Sequence, residues 1–286
     1  MKIVRHTVVP QFIERITPWL LAREAQHNLI LGLYTDLRQN PNFHGPTAPV
    51  MYTVEEEGTV ILVALQTPPY NLALTHSDHP TAIPLLTITL LQAHCTLPGV
   101  IGPHLVAEPF AQRWAEQTGS TVEVWMQQRI YQLTAVHPPT LPTGQMRWAT
   151  SDDQPLLEAW FPAFHQEVIG TTAPNRSPNS VMRWLTGTSR QLALWDDGGP
   201  VAMAGTTGPT PNGIRISAVY TPPAHRRHGY ASALVAALSQ AQLDAGRRFC
   251  FLYTDLRNPI SNHIYQAIGY TPVVDSTELR FHARPK

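Results

Sequence analysis

Charge of one sign is what this sequence most plainly lacks: twenty basic and twenty acidic residues cancel across 286 positions. A chain without net charge has no global attraction to nucleic acid or to an anionic membrane, so any anion site has to be local. Cysteine is scarce as well. Cys95 and Cys250 fall one in each half, both in apolar surroundings, which reads as two buried thiols in a reducing compartment and not as a disulfide framework. No run approaches the roughly 20 apolar residues of a membrane helix. The opening MKIVRHTVVPQFIERI lacks the apolar core and cleavage site of a signal peptide, so a cytoplasmic chain is expected. There is no G-x-S-x-G elbow, which sets aside an α/β hydrolase. His76-x-x-His79 and His225-x-x-His228 stand without an H-E-x-x-H or paired-cysteine motif, so no metal is expected.

What is present is enough apolar material, 43% of the chain, for roughly two domains. The 27 prolines are scattered as punctuation, and Ala135 to Gly144 holds three prolines and a glycine in ten residues. Such a stretch continues neither a helix nor a central strand. It sets the expected division: a first domain over 1–135, a linker over 136–145, a second domain over 146–286.

The first part reads as a helix over 11–37 that Pro18 kinks or splits, then strands within Val50 to Leu74 turning at Glu57-Gly58. A helix over 80–94, a glycine turn at Pro98 to Pro103, a helix over 105–118 and a strand through Arg129 to Leu133 follow. The mixture makes it α/β or α+β. The second part opens with a strand at Met146 to Ala149 and a helix that Asp152 or Asp153 caps, with Leu156, Leu157, Trp160 and Phe164 on one face. Ser177-Pro178 announces a second helix carrying Val181, Met182 and Leu185. Gln191 to Trp195 and Pro200 to Thr206 flank an Asp-Asp-Gly-Gly hairpin signal, and Ile214 to Tyr220 makes a third strand. A helix over Tyr230 to Ala245, the apolar strand Phe249 to Tyr253, a helix over Pro259 to Ile268 and a hairpin turning at Asp275-Ser276 complete the reading. No repeat at solenoid periods is visible.

The informative stretch is VYTPPAHRRHGYASALVAALSQAQ, residues 219–242. A strand end, a basic turn and a glycine stand directly before a helix. The first helical turn leaves N–H groups without intrahelical partners at the positive end of the dipole, which suits a phosphate. Gly229 permits close backbone approach, Ala231 keeps the next contact small, and Arg226 and Arg227 add charge. On these residues alone, a solvated Arg-Arg turn before a surface helix is an equal reading.

The downstream residues change the balance. Arg226-x-x-Gly229-x-Ala231, followed by Leu252 to Pro259 and a helix carrying Ser261, Asn262 and Tyr265 before Gly269-Tyr270, resembles the GNAT acetyltransferase superfamily and its R/Q-x-x-G-x-G/A pyrophosphate loop. The resemblance covers the second domain and implies a mixed, mostly antiparallel sheet flanked by helices, with acetyl-CoA as co-substrate and no metal. The backbone of Val219, Tyr220 and Thr221 would hold the pantetheine arm. The N–H groups of Arg227, His228, Gly229, Tyr230, Ala231 and Ser232 would wrap the pyrophosphate beside Arg226. Asn258 would contact the arm, Asn262 and Tyr265 would lie on the cofactor side of the last helix, and Tyr265 would sit near the thioester sulfur.

The implied reaction is direct attack of an amine, of a small molecule or a peptide, on the acetyl carbonyl. The Val219 N–H would serve as oxyanion donor and Tyr265 as general acid. The general base stays open between a water chain, Glu167 and His225, because Ile214 to Tyr220 lacks the carboxylate that many members carry there. Trp160, Phe164 and Trp184 are read as core. The missing carboxylate keeps a rival in play, a non-catalytic acyl-CoA-binding or regulatory module. Residues 50–133 vaguely resemble a second, degenerate half, as in two-domain bacterial members. No nucleic-acid or membrane partner is expected, and the chain is read as a monomer or homodimer.

Overall fold

The computed structural model describes residues 1–284 apart from 41, 44, 170–180 and 188. The first half runs β1 Lys2–His6, α1 Val9–Leu21, α2 Asn28–Gln39, β2 Val50–Glu56, β3 Thr59–Gln66, β4 Leu72–Leu74, α3 Ala82–Gln92, β5 Gly99–Pro103, α4 His104–Thr118 and β6 Thr121–Leu133. The second runs β7 Gln145–Trp148, α5 Gln154–Ile169, α6 Met182–Thr186, β8 Gln191–Asp196, β9 Pro200–Thr207, β10 Gly213–Tyr220, α7 Tyr230–Asp244, β11 Phe249–Asp255, α8 Pro259–Ile268 and β12 Thr271–His282. Strand, two helices, three strands, helix, strand, helix, strand: the order is the same twice. The repeat lies in topology and leaves no periodic trace in sequence.

The chain forms two compact units that do not follow chain order. One comprises Met1–Ile130, Tyr253–Asn258 and Pro272–Lys286, the other Tyr131–Leu252 and Pro259–Thr271. In the first unit the sheet order is β1-β2-β3-β4-β5-β12, antiparallel except where β4 meets β5. β3, the near-continuous apolar run Thr-Val-Ile-Leu-Val-Ala-Leu-Gln, is buried from Val60 to Gln66 because helices cover both faces. Phe12, Ile16 and Leu31 of α1 and α2 pack on one face, and Leu86, Phe110 and Trp114 of α3 and α4 on the other.

In the second unit the order is β11-β10-β9-β8-β7, antiparallel except for the β10–β11 pair. Its two faces likewise differ. Leu234, Val235 and Leu238 of α7 pack with Ile214, Ile216 and Leu252. Leu157 and Phe161 of α5 and Trp184 of α6 pack with Leu194, Met203 and Tyr220. Both units are mixed, mostly antiparallel sheets flanked by helices, the expected fold class.

Several expectations change. The proline-rich stretch 136–145 is docked within the second unit. The His137 N–H donates to Ile268 O at 2.7 Å, and Trp195 Nε1 donates to Thr143 O at 2.8 Å. No hairpin turns at Asp275-Ser276. β12 is one strand, since Asp275 takes a bidentate pair from Arg129 at 2.6 and 2.9 Å and Ser276 Oγ donates to Gly102 O.

Pro18 lies inside α1, and the break falls at residues 22–27, where Leu20 O accepts from the Arg23 N–H and from His27 Nδ1. Pro98 to Pro103 is no turn either, because Gly99–Pro103 is β5. A Cβ at Gly99 would stand 2.2 Å from Leu279 O, so glycine there serves close strand approach. β1 and β4 escape the sequence reading, being half-exposed and three residues long respectively. The helix start expected at Ser177-Pro178 lies outside the described residues.

Candidate active site

β10 pairs in parallel with β11 only over Gly213–Arg215, although it runs on to Tyr220. Against β9 it slips by one residue between Ser217 and Tyr220, and Ala218 there adopts φ 51°. This is a β-bulge, in which an extra residue reverses the inside–outside alternation of the strand. Ile214 and Ile216 face the α7 side, and after the bulge Val219 packs on that side while Tyr220 packs with α5 and α6. The bulge thus brings Val219 into the cluster that contains Tyr265. Among the described residues, the hydroxyls of Ser217 and Thr221, on either side of it, are buried without a hydrogen-bond partner, so each leaves hydrogen-bonding capacity unused.

Pro223–His225 then forms one short 3-10 turn, Arg227 takes φ 66°, and Gly229 takes φ 82° as N-cap of α7. No side chain caps this helix, no acid lies in its first turn, and its first intrahelical acceptor bond runs from the Ala233 N–H to Gly229 O. The N–H groups of Tyr230, Ala231 and Ser232 are therefore free of helical partners. A Cβ placed on Gly229 would meet nothing within 4 Å, so the space beside the glycine is open. Tyr230 is held by its phenol, which donates to Asp197 Oδ2 at 2.6 Å, and its ring stacks on His228 at 5.5 Å. The bond from Tyr230 holds the Asp197 carboxyl below the usual range.

Arg226, read from the sequence as an added phosphate charge, has two partners within its own unit. Its Nη2 pairs with Glu167 Oε2 at 2.5 Å and its Nε donates to Thr221 O at 3.0 Å. Glu167, one of three candidate bases, is therefore engaged as an acceptor. His225 O accepts from His228 Nδ1 at 3.3 Å.

On α8, Tyr265 is buried, 6.0 Å edge-on from the Tyr270 ring, with no hydrogen bond to its phenol among the described residues. Burial pushes its hydroxyl up to about 12, so it stays protonated across the physiological range. Asn262 Oδ1 accepts from the Tyr131 phenol at 2.9 Å. Asn258 belongs to the other compact unit, where its N–H donates to Asp255 O. Cys95 and Cys250 are free thiols, Cys95 half-buried and Cys250 fully buried. Sequence reasoning missed the bulge, the two orphan hydroxyls and the Glu167 pair; nothing in Ser217-Ala218-Val219 announces a bulge, and Glu167 lies 59 residues from its partner.

The acetyltransferase (GNAT) family model matches residues 146–270. Among solved structures, the chain is similar to a Drosophila protein with TM-score 0.72 at 14% identity, covering 99% of each chain. It is similar to a GCN5-related N-acetyltransferase from Sphaerobacter thermophilus with TM-score 0.59 at 19% identity, covering 99% of this chain and 96% of that one. A tandem GNAT protein from the clavulanic acid biosynthesis pathway matches with TM-score 0.51 at 17% identity, covering 100% and 99%. No curated protein sequence matches the chain. At these identities the structures speak for the fold, and the family model speaks for the second half. No helix among the described residues is long and apolar enough to cross a membrane. Residues 146–270 thus match the acetyltransferase (GNAT) family, and the chain shares its fold with the solved structures above.

Proposed function

We propose that this chain is an acetyl-CoA-dependent N-acetyltransferase in which an amine attacks the acetyl group directly in a ternary complex. The observation that carries the reading is the open, glycine-capped start of α7 at the end of a bulged strand, inside the family-matched segment. The N–H groups from Arg227 to Ser232 would hold the pyrophosphate. The backbone of Val219, Tyr220 and Thr221, beyond the part of β10 that pairs with β11, would hold the pantetheine arm, with Asn262 as a further contact. The orphan hydroxyls of Ser217 and Thr221 fit the polar groups of such an arm. Bound acetyl-CoA supplies an activated thioester.

The chain's own residues supply the rest. The Val219 N–H, at a position fixed by the bulge, donates to oxygen as charge develops there. Tyr265 holds a proton for the departing sulfur. Transfer from a phenol near 12 to a thiolate with an ordinary thiol value of about 8.5 is uphill. Tyr265 therefore donates a hydrogen bond to the departing sulfur, and the proton that the acceptor amine releases balances the thiolate. With Glu167 paired to Arg226, the acceptor amine loses its proton to a water chain or to His225.

One observation favours the rival acyl-CoA-binding module: no carboxylate stands on β10, and Glu167 is engaged. Thiol release from acetyl-CoA in the presence of polyamines, aminoglycosides, amino acids and peptides separates the two. Turnover with any of them supports the enzyme; CoA binding with no turnover across the panel supports the module.

A further inference from the structure

The two arginines of the Gly229 turn are not equivalent. Arg226 commits its Nη2 to the Glu167 carboxylate near the end of α5 and its Nε to the carbonyl of Thr221 just after β10. Arg227, the next residue, is exposed, sits at φ 66°, and makes no ion pair or hydrogen bond among the described residues. A phosphate that took the remaining Arg226 donors would stand beside the Glu167 carboxylate, which repels it. Arg227 gives up only its own rotamer freedom.

We propose that Arg226 is a positioning residue that straps the turn to α5, and that Arg227 supplies the side-chain charge to the pyrophosphate. The proposal rests on the reading of this turn as a phosphate loop and gives Glu167 a role in place of base catalysis. α5 also carries Trp160 and Phe164, whose rings meet Tyr220 edge-on at 6.2 and 6.4 Å. The strap therefore links the phosphate turn to the helix that packs against the end of β10.

The test is CoA affinity by calorimetry at low and high salt for Glu167→Gln, Arg226→Gln, Arg227→Gln, their pairs, and the reversed pair Glu167→Arg with Arg226→Glu. Loss of the strap weakens CoA about fivefold in either single variant, the ceiling for a half-exposed pair, and no further in the double. The reversed pair recovers most of that loss. Arg227→Gln weakens CoA on its own, adds to Glu167→Gln, and loses its effect at high salt, where an exposed charge is screened.

If Arg226 instead touches phosphate, Glu167→Gln frees it. CoA binding is then unchanged or tighter while Arg226→Gln weakens it, and the proposal is overturned. If the unaltered protein binds no CoA, the phosphate-loop reading fails and takes the Arg227 assignment with it. Amide exchange over residues 222–229 still judges the strap: faster exchange in Glu167→Gln supports it, and unaltered exchange overturns it.

Discussion

Tyr265 joins burial, a free phenol and a place in the Val219 cluster on one side chain. Tyr265→Phe removes the proton and leaves the ring's packing, so kcat should fall by about a hundredfold, the low end for a general acid. CoA affinity should stay within a few-fold, and steady-state kinetics beside a binding titration checks both. The phenol's value of about 12 carries a second consequence. It remains protonated through neutral and mildly basic pH, so kcat should show no basic limb from this residue below pH 10. A limb near pH 8 that vanishes in Tyr265→Phe would contradict the burial account. The sequence gives away the position of Tyr265 through the Asn258-to-Gly269 spacing, but its isolation from partners is a product of packing.

At the level of elements, the proposed site rests on the bulge in β10 and the glycine cap of α7, and the first half has neither at the corresponding place. The loop that corresponds to the Gly229 turn is the one between β4 and α3, residues 75–81, and not Pro98 to Pro103. There Asp78 stands before the helix, 2.9 Å from His76 Nε2 and 3.7 Å from Arg23 Nη2, and the bond from His76 keeps its carboxyl below the usual range. Thr81, the N-cap of α3, is right-handed, and no left-handed glycine precedes it. A fixed carboxylate at a helix start repels phosphate. The chain should accordingly bind one CoA and not two, and the stoichiometry of a calorimetric titration decides this. The helices and strands around both loops are legible from period and punctuation. The correspondence of the loops is not, because it depends on counting β1 and β4, which carry too few residues to show a pattern.

For the molecule as a whole, chain order and compact units diverge. β12 pairs with β5, and Arg129, Gly102 and Asn71 engage Asp275, Ser276 and Glu278. These are contacts between residues more than a hundred positions apart, which no local pattern announces. The proline-rich stretch reads as a linker by composition, yet Thr143 and His137 dock through backbone groups that every sequence possesses.

His27 sets an acid limit on stability. Burial pushes its imidazole down to about 4 from 6.5, while Nδ1 bonds Leu20 O and Trp19 stacks on the ring at 4.8 Å. Between those values the unfolded chain binds a proton that the native chain does not. Stability should be complete above pH 6.5 and fall by about 3 kcal/mol as pH drops toward 4. Carboxylates held low, such as Asp153 beside Arg147, lose their contribution only at pH below 3.8. Urea midpoints at pH 7 and pH 5 should therefore differ, and His27→Gln should flatten the difference.

The central claim is that the start of α7 holds the phosphates of CoA, and calorimetric titration of CoA into the unaltered protein and Gly229→Asp tests it most directly. Asp at Gly229 brings a carboxylate beside the N–H donors with no neighbour within 4 Å of its Cβ, at the added cost of a side chain at φ 82°, so affinity should fall by about tenfold or more. Equal affinity in the two proteins, or no binding to the unaltered one, would contradict the account.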